Sequence, residues 1–227
     1  MPRFSEPRSE EALLARARTL AGRSIAEVAA ALGLPVPADL RHHKGWVGHL
    51  VEKALGVTAG SAPVPDFASL GIELKTLPLD AEGVPTETTF VSSLDFGDPA
   101  ALSWEGSSVR KKLARILWLP VQADPAVPLA ERRFGNALLW SPTPEEEARL
   151  RADFEEIAGM IEAGFVERVT AHRGKVLQLR PKGANARQLR WMVDAEDGAL
   201  ARTAPRAFYL RRSFTAELVR RHWALGG

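Results

Sequence analysis

At 227 residues the chain has room for one large domain or two small ones sharing an interface. Its composition, 45% hydrophobic and 26% charged, excludes a mainly disordered state. The absence of cysteine removes disulfide frameworks, thiol nucleophiles, iron–sulfur clusters and cysteine-built zinc sites. The opening MPRFSEPRSEEALL has no apolar core of signal-peptide length, and no apolar run of about 18 residues follows, so a soluble, cytoplasmic protein with no membrane segment is expected. Net charge is only +2, but it is unevenly spread. Residues 142–167 hold eight acids against two bases, whereas residues 168–227 hold thirteen bases against four acids. A basic final quarter fits one face built for a polyanion, and equally an unevenly charged solvated surface.

In chain order, Ser9–Ala21 reads as a helix with Ser9 as N-cap, apolar Leu13, Leu14, Ala17 and Leu20 on one stripe, and Gly22 at the stop. Ser24 and Glu27 form a capping box for a second helix, IAEVAAAL, ended by Gly33. Trp46–Leu55 reads as a third helix. Apolar residues then alternate from Leu70 to Leu77, a strand signature. Asp80–Gly83 reads as a turn and Thr88–Leu94 as the returning strand. A short helix from Ser108 precedes a strand LWLPVQ. Thr143-Pro144-Glu145-Glu146 is a strong helix start, and that helix should reach about Ala163. FVERVTAHRGKVLQLRPKG reads as a hairpin turning at His172-Arg173-Gly174, AFYLRRSF as a late strand, and a closing helix is expected from Thr215. This order indicates an α/β or α+β fold.

The informative stretch is PDFASLGIELKTLP, residues 65–78. On a strand, Glu73 and Lys75 share a face at roughly 6.5–7 Å spacing. If Asp66 ends an adjoining strand, two carboxylates can converge on one hard cation, such as Mg²⁺, which takes few carboxylates and fills its remaining positions with water and phosphate oxygens. Lys75 would then orient the attacking water or neutralise the attacked phosphate. Two acids and a lysine are the minimal parts for metal-dependent phosphodiester cleavage. The same residues also fit an exposed Glu–Lys pair with no function. Glu52, on the flank of the third helix, and Lys44 and Lys112 are further candidates for the same centre, or ordinary surface charges. Only seven of the thirty bases are lysines.

KGWVGHLVEKALG, AGSAPVPDFASLGIELKTLP, ETTFV, WEGSSVRKKLARILW, FGNALLWSP, LQLRPKGANAR and PRAFYLRRSFT, in that order, resemble the MutH family of mismatch-repair endonucleases. The blocks cover nearly the whole chain from about residue 10. The resemblance implies a type II restriction-endonuclease-like fold, with a central mixed β-sheet flanked by helices and two subdomains forming a DNA-binding cleft. It implies a single endonuclease domain over residues 1–227, with a helical, metal-site portion to about residue 140 and a basic, DNA-reading portion from about 141. The implied activity is Mg²⁺-dependent nicking of the unmethylated strand of hemimethylated GATC, 5′ to the G, by a monomer that MutL activates after MutS has found a mismatch; Mn²⁺ or Ca²⁺ can occupy the metal site. By the same resemblance Asp66 and Glu73 match the metal-binding acids, Lys75 the catalytic lysine, Glu52 an active-site acid, and Lys44 and Lys112 bases near the scissile phosphate. Arg180, Pro181 and Lys182 match the DNA-reading loop, Glu87 and Phe90 residues of DNA contact or coupling, and Tyr209 the sensor of adenine methylation.

Physical reading of the residues agrees in part. N6-methylation adds bulk where adenine's amino group is read in the major groove, and an aromatic beside a short cationic loop can sense it. Tyr209 is the only tyrosine, and Arg206, Arg211 and Arg212 nearby suit phosphate positioning. Alone, however, Tyr209 reads as well as a half-buried strand aromatic, and RPKG as a hairpin end. The segments Asp80-Ala81-Glu82 and Asp95–Asp98 depart from the family pattern. Two other readings remain: a restriction-like endonuclease acting at a related site, and a non-enzymatic helix-turn-helix regulator built on SIAEVAAALGLPVPADLRHHKG, a segment that also fits two amphipathic helices packed on a sheet.

Overall fold

The structure, a computed structural model, describes residues 5–57, 64–95, 98–182, 190–193 and 200–222. It is a mixed α+β fold of the restriction-endonuclease-like kind. Among the described residues it has six α-helices: α1 (Glu10–Arg18), α2 (Ile25–Ala31), α3 (Trp46–Leu55), α4 (Ser108–Leu113), α5 (Pro144–Glu162) and α6 (Arg212–His222). The strands are β1 (Glu73–Leu79), β2 (Thr89–Ser93), β3 (Ile116–Gln122), β4 (Leu138–Trp140), β5 (Leu177–Pro181), β6 (Arg190–Val193), β7 (Leu200–Thr203) and β8 (Arg206–Leu210). No helix among the described residues is long and apolar enough to cross a membrane.

Two compact units share these elements. One comprises Met1–Glu87, Ala114–Ser141 and Leu218–Gly227, the other Thr88–Leu113 and Pro142–Glu217. One boundary between the units falls at Ser141–Pro142, but Thr88–Leu113 packs with the later segment, so the units interleave along the chain.

The first unit holds a mixed sheet ordered β1-β3-β4, with β1 and β3 parallel and β3 and β4 antiparallel. One face, carrying Leu74, Leu117, Leu119 and Val121, closes a core with Leu13 and Ala17 of α1, Ile25 and Val28 of α2, and Leu50, Val51 and Leu55 of α3. The helix starts behave as their sequences require. Ser9 accepts a hydrogen bond from the Ala12 amide, and Ser24 and Glu27 complete a reciprocal capping box. The Ser24 amide, and then its hydroxyl, hold the Glu27 carboxyl below its ordinary range. Fourteen residues separate α2 and α3, far more than the tight turn a helix-turn-helix needs, and both helices bury their apolar faces in the core.

The second unit holds an antiparallel sheet ordered β2-β8-β5, and β6 pairs with β7 in a separate ribbon. The strands are thus shared between a mixed and an antiparallel sheet rather than gathered in one central sheet. β2 is not the return strand of β1: it pairs with β8, and the Asp80 turn brings the chain back only as far as a bridge between Leu79 and Pro85. The hairpin expected over residues 165–183 is also absent. Val166–Arg168 forms a 3₁₀ turn, and β5 pairs with β8 instead. The late strand stops at Leu210, because α6 already begins at Arg212, three residues before the expected start.

Leu177, Leu179, Phe208 and Leu210 form the buried face of this sheet, where Phe208 stacks on Phe154 of α5 with ring centroids 5.2 Å apart. The start of β5 is set by a buried acid. Asp153 of α5 accepts hydrogen bonds at Oδ2 from the amides of Lys175, Val176 and Leu177 at 2.8, 2.6 and 2.8 Å. The preceding Gly174 has φ +78°, and a Cβ there would fall 1.9 Å from the Leu177 carbonyl oxygen, so only glycine fits this turn. Asp153→Ala is expected to lower the unfolding free energy by about 3 kcal/mol, since buried amides lose a charged acceptor; urea denaturation checks it.

Candidate active site

The turn between Phe67 and Ile72 builds the centre of the site. Phe67 and Ile72 exchange amide-to-carbonyl hydrogen bonds at 2.9 and 3.2 Å, and Gly71 supplies the left-handed residue (φ +66°) that closes the turn. In antiparallel pairing the next residues outward face each other, which brings Asp66 opposite Glu73. Asp66 Oδ2 accepts a hydrogen bond from the Leu74 amide at 2.8 Å. That amide lies on the outer edge of β1, the side away from β3. Glu73 donates its own amide to the Arg115 carbonyl at 3.0 Å, which fixes the other edge.

Glu73 and Lys75 share the sheet face opposite the helical core. Lys75 Nζ donates to Glu73 Oε1 at 2.6 Å, with side-chain exposures of 14% and 2%. The pair is therefore buried rather than solvent-facing, and the buried carboxylate has the ammonium as its compensating partner. In register with Lys75 on β3 stands Trp118, wholly buried and edge-on to Trp140 with ring centroids 6.3 Å apart. Asp66 and Glu73 offer hard oxygen donors in the small number that Mg²⁺ takes, so this donor set fits a divalent cation that completes its shell with water and phosphate. Among the described residues no group of three or more His, Asp or Glu side chains is gathered for a metal ion.

A second cluster lies in the other unit, on the face of the β2-β8-β5 sheet turned away from α5. Register aligns Phe90, Tyr209 and Gln178 across the three strands. Phe90 and Tyr209 meet edge to face with centroids 5.6 Å apart. The Arg180 guanidinium lies over the Tyr209 ring at 5.2 Å and the Lys182 ammonium over the Phe90 ring at 4.9 Å. Arg180 donates to Thr88 Oγ1 at 3.0 Å and Lys182 to Ser93 Oγ at 2.8 Å. Cations and aromatic faces presented together suit a nucleic acid, whose phosphates and bases need both.

A family model described as "DNA mismatch repair enzyme MutH" matches residues 55–153, the span that holds Asp66, Glu73 and Lys75. The DNA mismatch repair protein MutH of Klebsiella pneumoniae is 51% identical over 224 residues, 99% of this chain and 96% of that protein. Those of Salmonella newport and Salmonella enteritidis match with the same identity and coverage. The chain belongs to the MutH family. Membership makes it a DNA mismatch repair enzyme and sets aside the non-enzymatic regulator.

The other residues expected from the MutH pattern are placed as follows. Lys44 is exposed on the turn before α3, and Glu52 on α3 lies 3.4 Å from His49 Nδ1. Lys112 is half-buried on α4, in the second unit. Glu87 is exposed at a bend before β2, and Pro181, also exposed, ends β5 opposite Arg206. Two arginines that seemed suited to phosphate have other employment. Arg206 is 4% exposed, bonded to the Val169 carbonyl and paired with Glu167 at 2.9 Å. Arg211 donates to the carbonyls of Gly174, Ala171 and Arg173, which ties down the turn before β5. The segments at 183–189 and 194–199, including the end of the RPKG motif, lie outside the described residues.

Sequence reasoning missed Thr88 and Ser93, the hydroxyls that hold Arg180 and Lys182, because no local pattern links residues 92 and 89 positions apart. Lys75→Met is expected to cost about 3 kcal/mol in metal-free protein, since it removes the ammonium facing a buried carboxylate. Pairing it with Glu73→Gln should recover most of that loss in chemical denaturation.

Proposed function

We propose that this mismatch-repair endonuclease cleaves a phosphodiester at Asp66, Glu73 and Lys75 with Mg²⁺, nicking the unmethylated strand of hemimethylated GATC on the 5′ side of the G. The support is the gathering of these groups at one strand mouth: Asp66 bonded to the Leu74 amide, and Glu73 and Lys75 paired on the adjoining face. Asp66 and Glu73 would hold the ion, which supplies an acidified water and charge stabilisation at the attacked phosphate. Lys75, already aimed at the Glu73 carboxylate, orients the water and neutralises charge on the phosphate. Glu52, Lys44 and Lys112 are assigned supporting contacts to metal or scissile strand on the family pattern alone.

Reading falls to Phe90, Tyr209, Arg180, Pro181 and Lys182, with Glu87 assigned to it on the family pattern alone; Arg211 contributes by shaping the turn before β5. The aromatic–cation face of the second sheet supports this assignment. Tyr209, held between Phe90 and Arg180, is suited to register the bulk that N6-methylation adds in the major groove. One catalytic centre suffices for a nick, in keeping with a monomer acting in the cytoplasm, and activation by MutL after mismatch detection by MutS completes the reading.

Asp66→Ala and Lys75→Ala should each reduce nicking by at least about a hundredfold while DNA affinity is kept, as expected when groups acting on the transition state are removed. Plasmids in three methylation states, resolved on denaturing and native gels with Mg²⁺ or EDTA, are the assay. Single-strand nicks on hemimethylated GATC, with fully methylated plasmid spared, support the reading. Double-strand breaks, or equal cutting of both plasmids, would overturn it.

A further inference from the structure

We propose that the segment Ser5–Arg18 is a positioning brace for the Asp66–Glu73 centre, acting through Glu6, Glu10 and Arg16. This inference rests on the metal-site reading above. The three residues reach three separate stretches of chain: two carry a candidate active-site acid, Asp66 or Glu52, and the third supplies at Arg115 the carbonyl that seats Glu73.

Glu6 Oε1 accepts a hydrogen bond from Ser69 Oγ at 3.0 Å, across 63 residues of sequence. Ser69 lies in the Phe67–Ile72 turn that delivers Asp66 to β1. Glu10, in the first turn of α1, takes the Arg115 guanidinium in a two-pronged pair: Nε to Oε1 at 2.6 Å and Nη2 to Oε2 at 2.5 Å. Arg115 also donates to Ser141 Oγ at 3.1 Å, just beyond β4. Its backbone carbonyl is the acceptor for the Glu73 amide, so the residue clamped by Glu10 is also the one that seats Glu73. Arg16 Nη1 donates to the Ser5 carbonyl at 2.8 Å and the Leu55 carbonyl at 2.7 Å, joining the segment to the end of α3, one turn past Glu52.

These contacts are poorly placed to serve global stability. The Glu10 and Arg115 side chains are 37% and 36% exposed, and ion pairs this open contribute little to folding free energy. Stability of the segment comes instead from Leu13 and Ala17, which are wholly buried in the core. What the polar contacts do supply is direction. A two-pronged arginine–carboxylate pair fixes orientation as well as distance, and groups behind metal-binding carboxylates set the geometry in which those carboxylates meet the ion. With α1 seated by its apolar stripe, its polar side holds the turn and strand start that must present Asp66 and Glu73 together.

The test uses the full-length protein and the variants Ser69→Ala, Glu10→Gln and Ser69→Thr, none of which removes a proposed metal ligand. Hydrogen exchange in metal-free protein should rise severalfold at residues 66–75 in Ser69→Ala and Glu10→Gln while the rest of the first unit is unchanged. Mn²⁺ affinity by calorimetry should fall about tenfold, the low end of the effect of losing support behind a metal ligand, because these contacts act through the turn and the strand start rather than on the carboxylates directly. The Mg²⁺ midpoint for nicking should rise in step, with nicking at saturating Mg²⁺ within about twofold of the parent, as expected when the ligands themselves are intact. Ser69→Thr, which keeps the hydroxyl, should restore all three. Unchanged exchange at 66–75, or an increase spread evenly over the unit with a matching fall in Tm, would overturn the brace. Asp66→Ala separates the two readings: if it still binds Mn²⁺ and nicks, the metal-site reading fails, whereas the exchange result stands or falls by itself.

Discussion

The hydrogen bond from the Leu74 amide to Asp66 is the contact on which the site's geometry depends. β1 is an edge strand, and an edge amide needs an acceptor from outside the sheet. Asp66 meets that need, and in doing so its carboxylate is fixed beside Glu73. The acid therefore has a backbone task as well as the chemical one assigned to it. The tight Phe67–Ile72 turn makes both tasks possible within a few residues, so the approach of the two acids begins locally, and the distant contacts at Ser69 and Arg115 act on a turn already formed.

The basic character of the C-terminal quarter separates into two kinds of cation. Arg206 and Arg211 turn inward and spend their several donors on carbonyls and a carboxylate, which suits a guanidinium far better than an ammonium. Arg180 and Lys182 lie instead over the rings of Tyr209 and Phe90, each steadied by a single hydroxyl. Charge counting alone does not tell the four apart. Burial and partner geometry separate the two arginines bound to carbonyls from the two cations that lie over rings.

Local signals in the sequence were dependable wherever a side chain acts on its own neighbours. Ser9, the Ser24/Glu27 box and the Thr143/Glu146 box cap the helices they indicated, and α3 has the bounds its apolar spacing required. Strand partners were not legible. The Asp80 turn has all the marks of a hairpin, and Asp80 does accept the Glu82 and Val84 amides, yet β2 finds its partner some 120 residues later in β8. Pairing at that distance is decided by which faces can be buried together, and no window of sequence contains that information. The site shows the same limit. The Asp66, Glu73 and Lys75 spacing was visible, but whether Lys75 and Glu73 were a solvated pair or a buried one could be known only once β3 was laid beside β1. The braces from Glu6 and Glu10 left no trace in any motif, since their partners are 63 and 105 residues away.

The interleaving of the two units has a practical side. The polypeptide passes from one to the other at Glu87–Thr88, Leu113–Ala114, Ser141–Pro142 and Glu217–Leu218. No single cut yields either unit intact: cut after Glu87, an N-terminal fragment keeps the acids at β1 but forfeits β3; cut after Ser141, it keeps both but forfeits Leu218–Gly227, and the C-terminal fragment keeps Tyr209 but forfeits Phe90. Chimaeras that trade specificity between relatives would therefore have to exchange sequence at matched internal junctions, and a limited proteolytic map of this protein would report nicked full-length assemblies rather than separable halves.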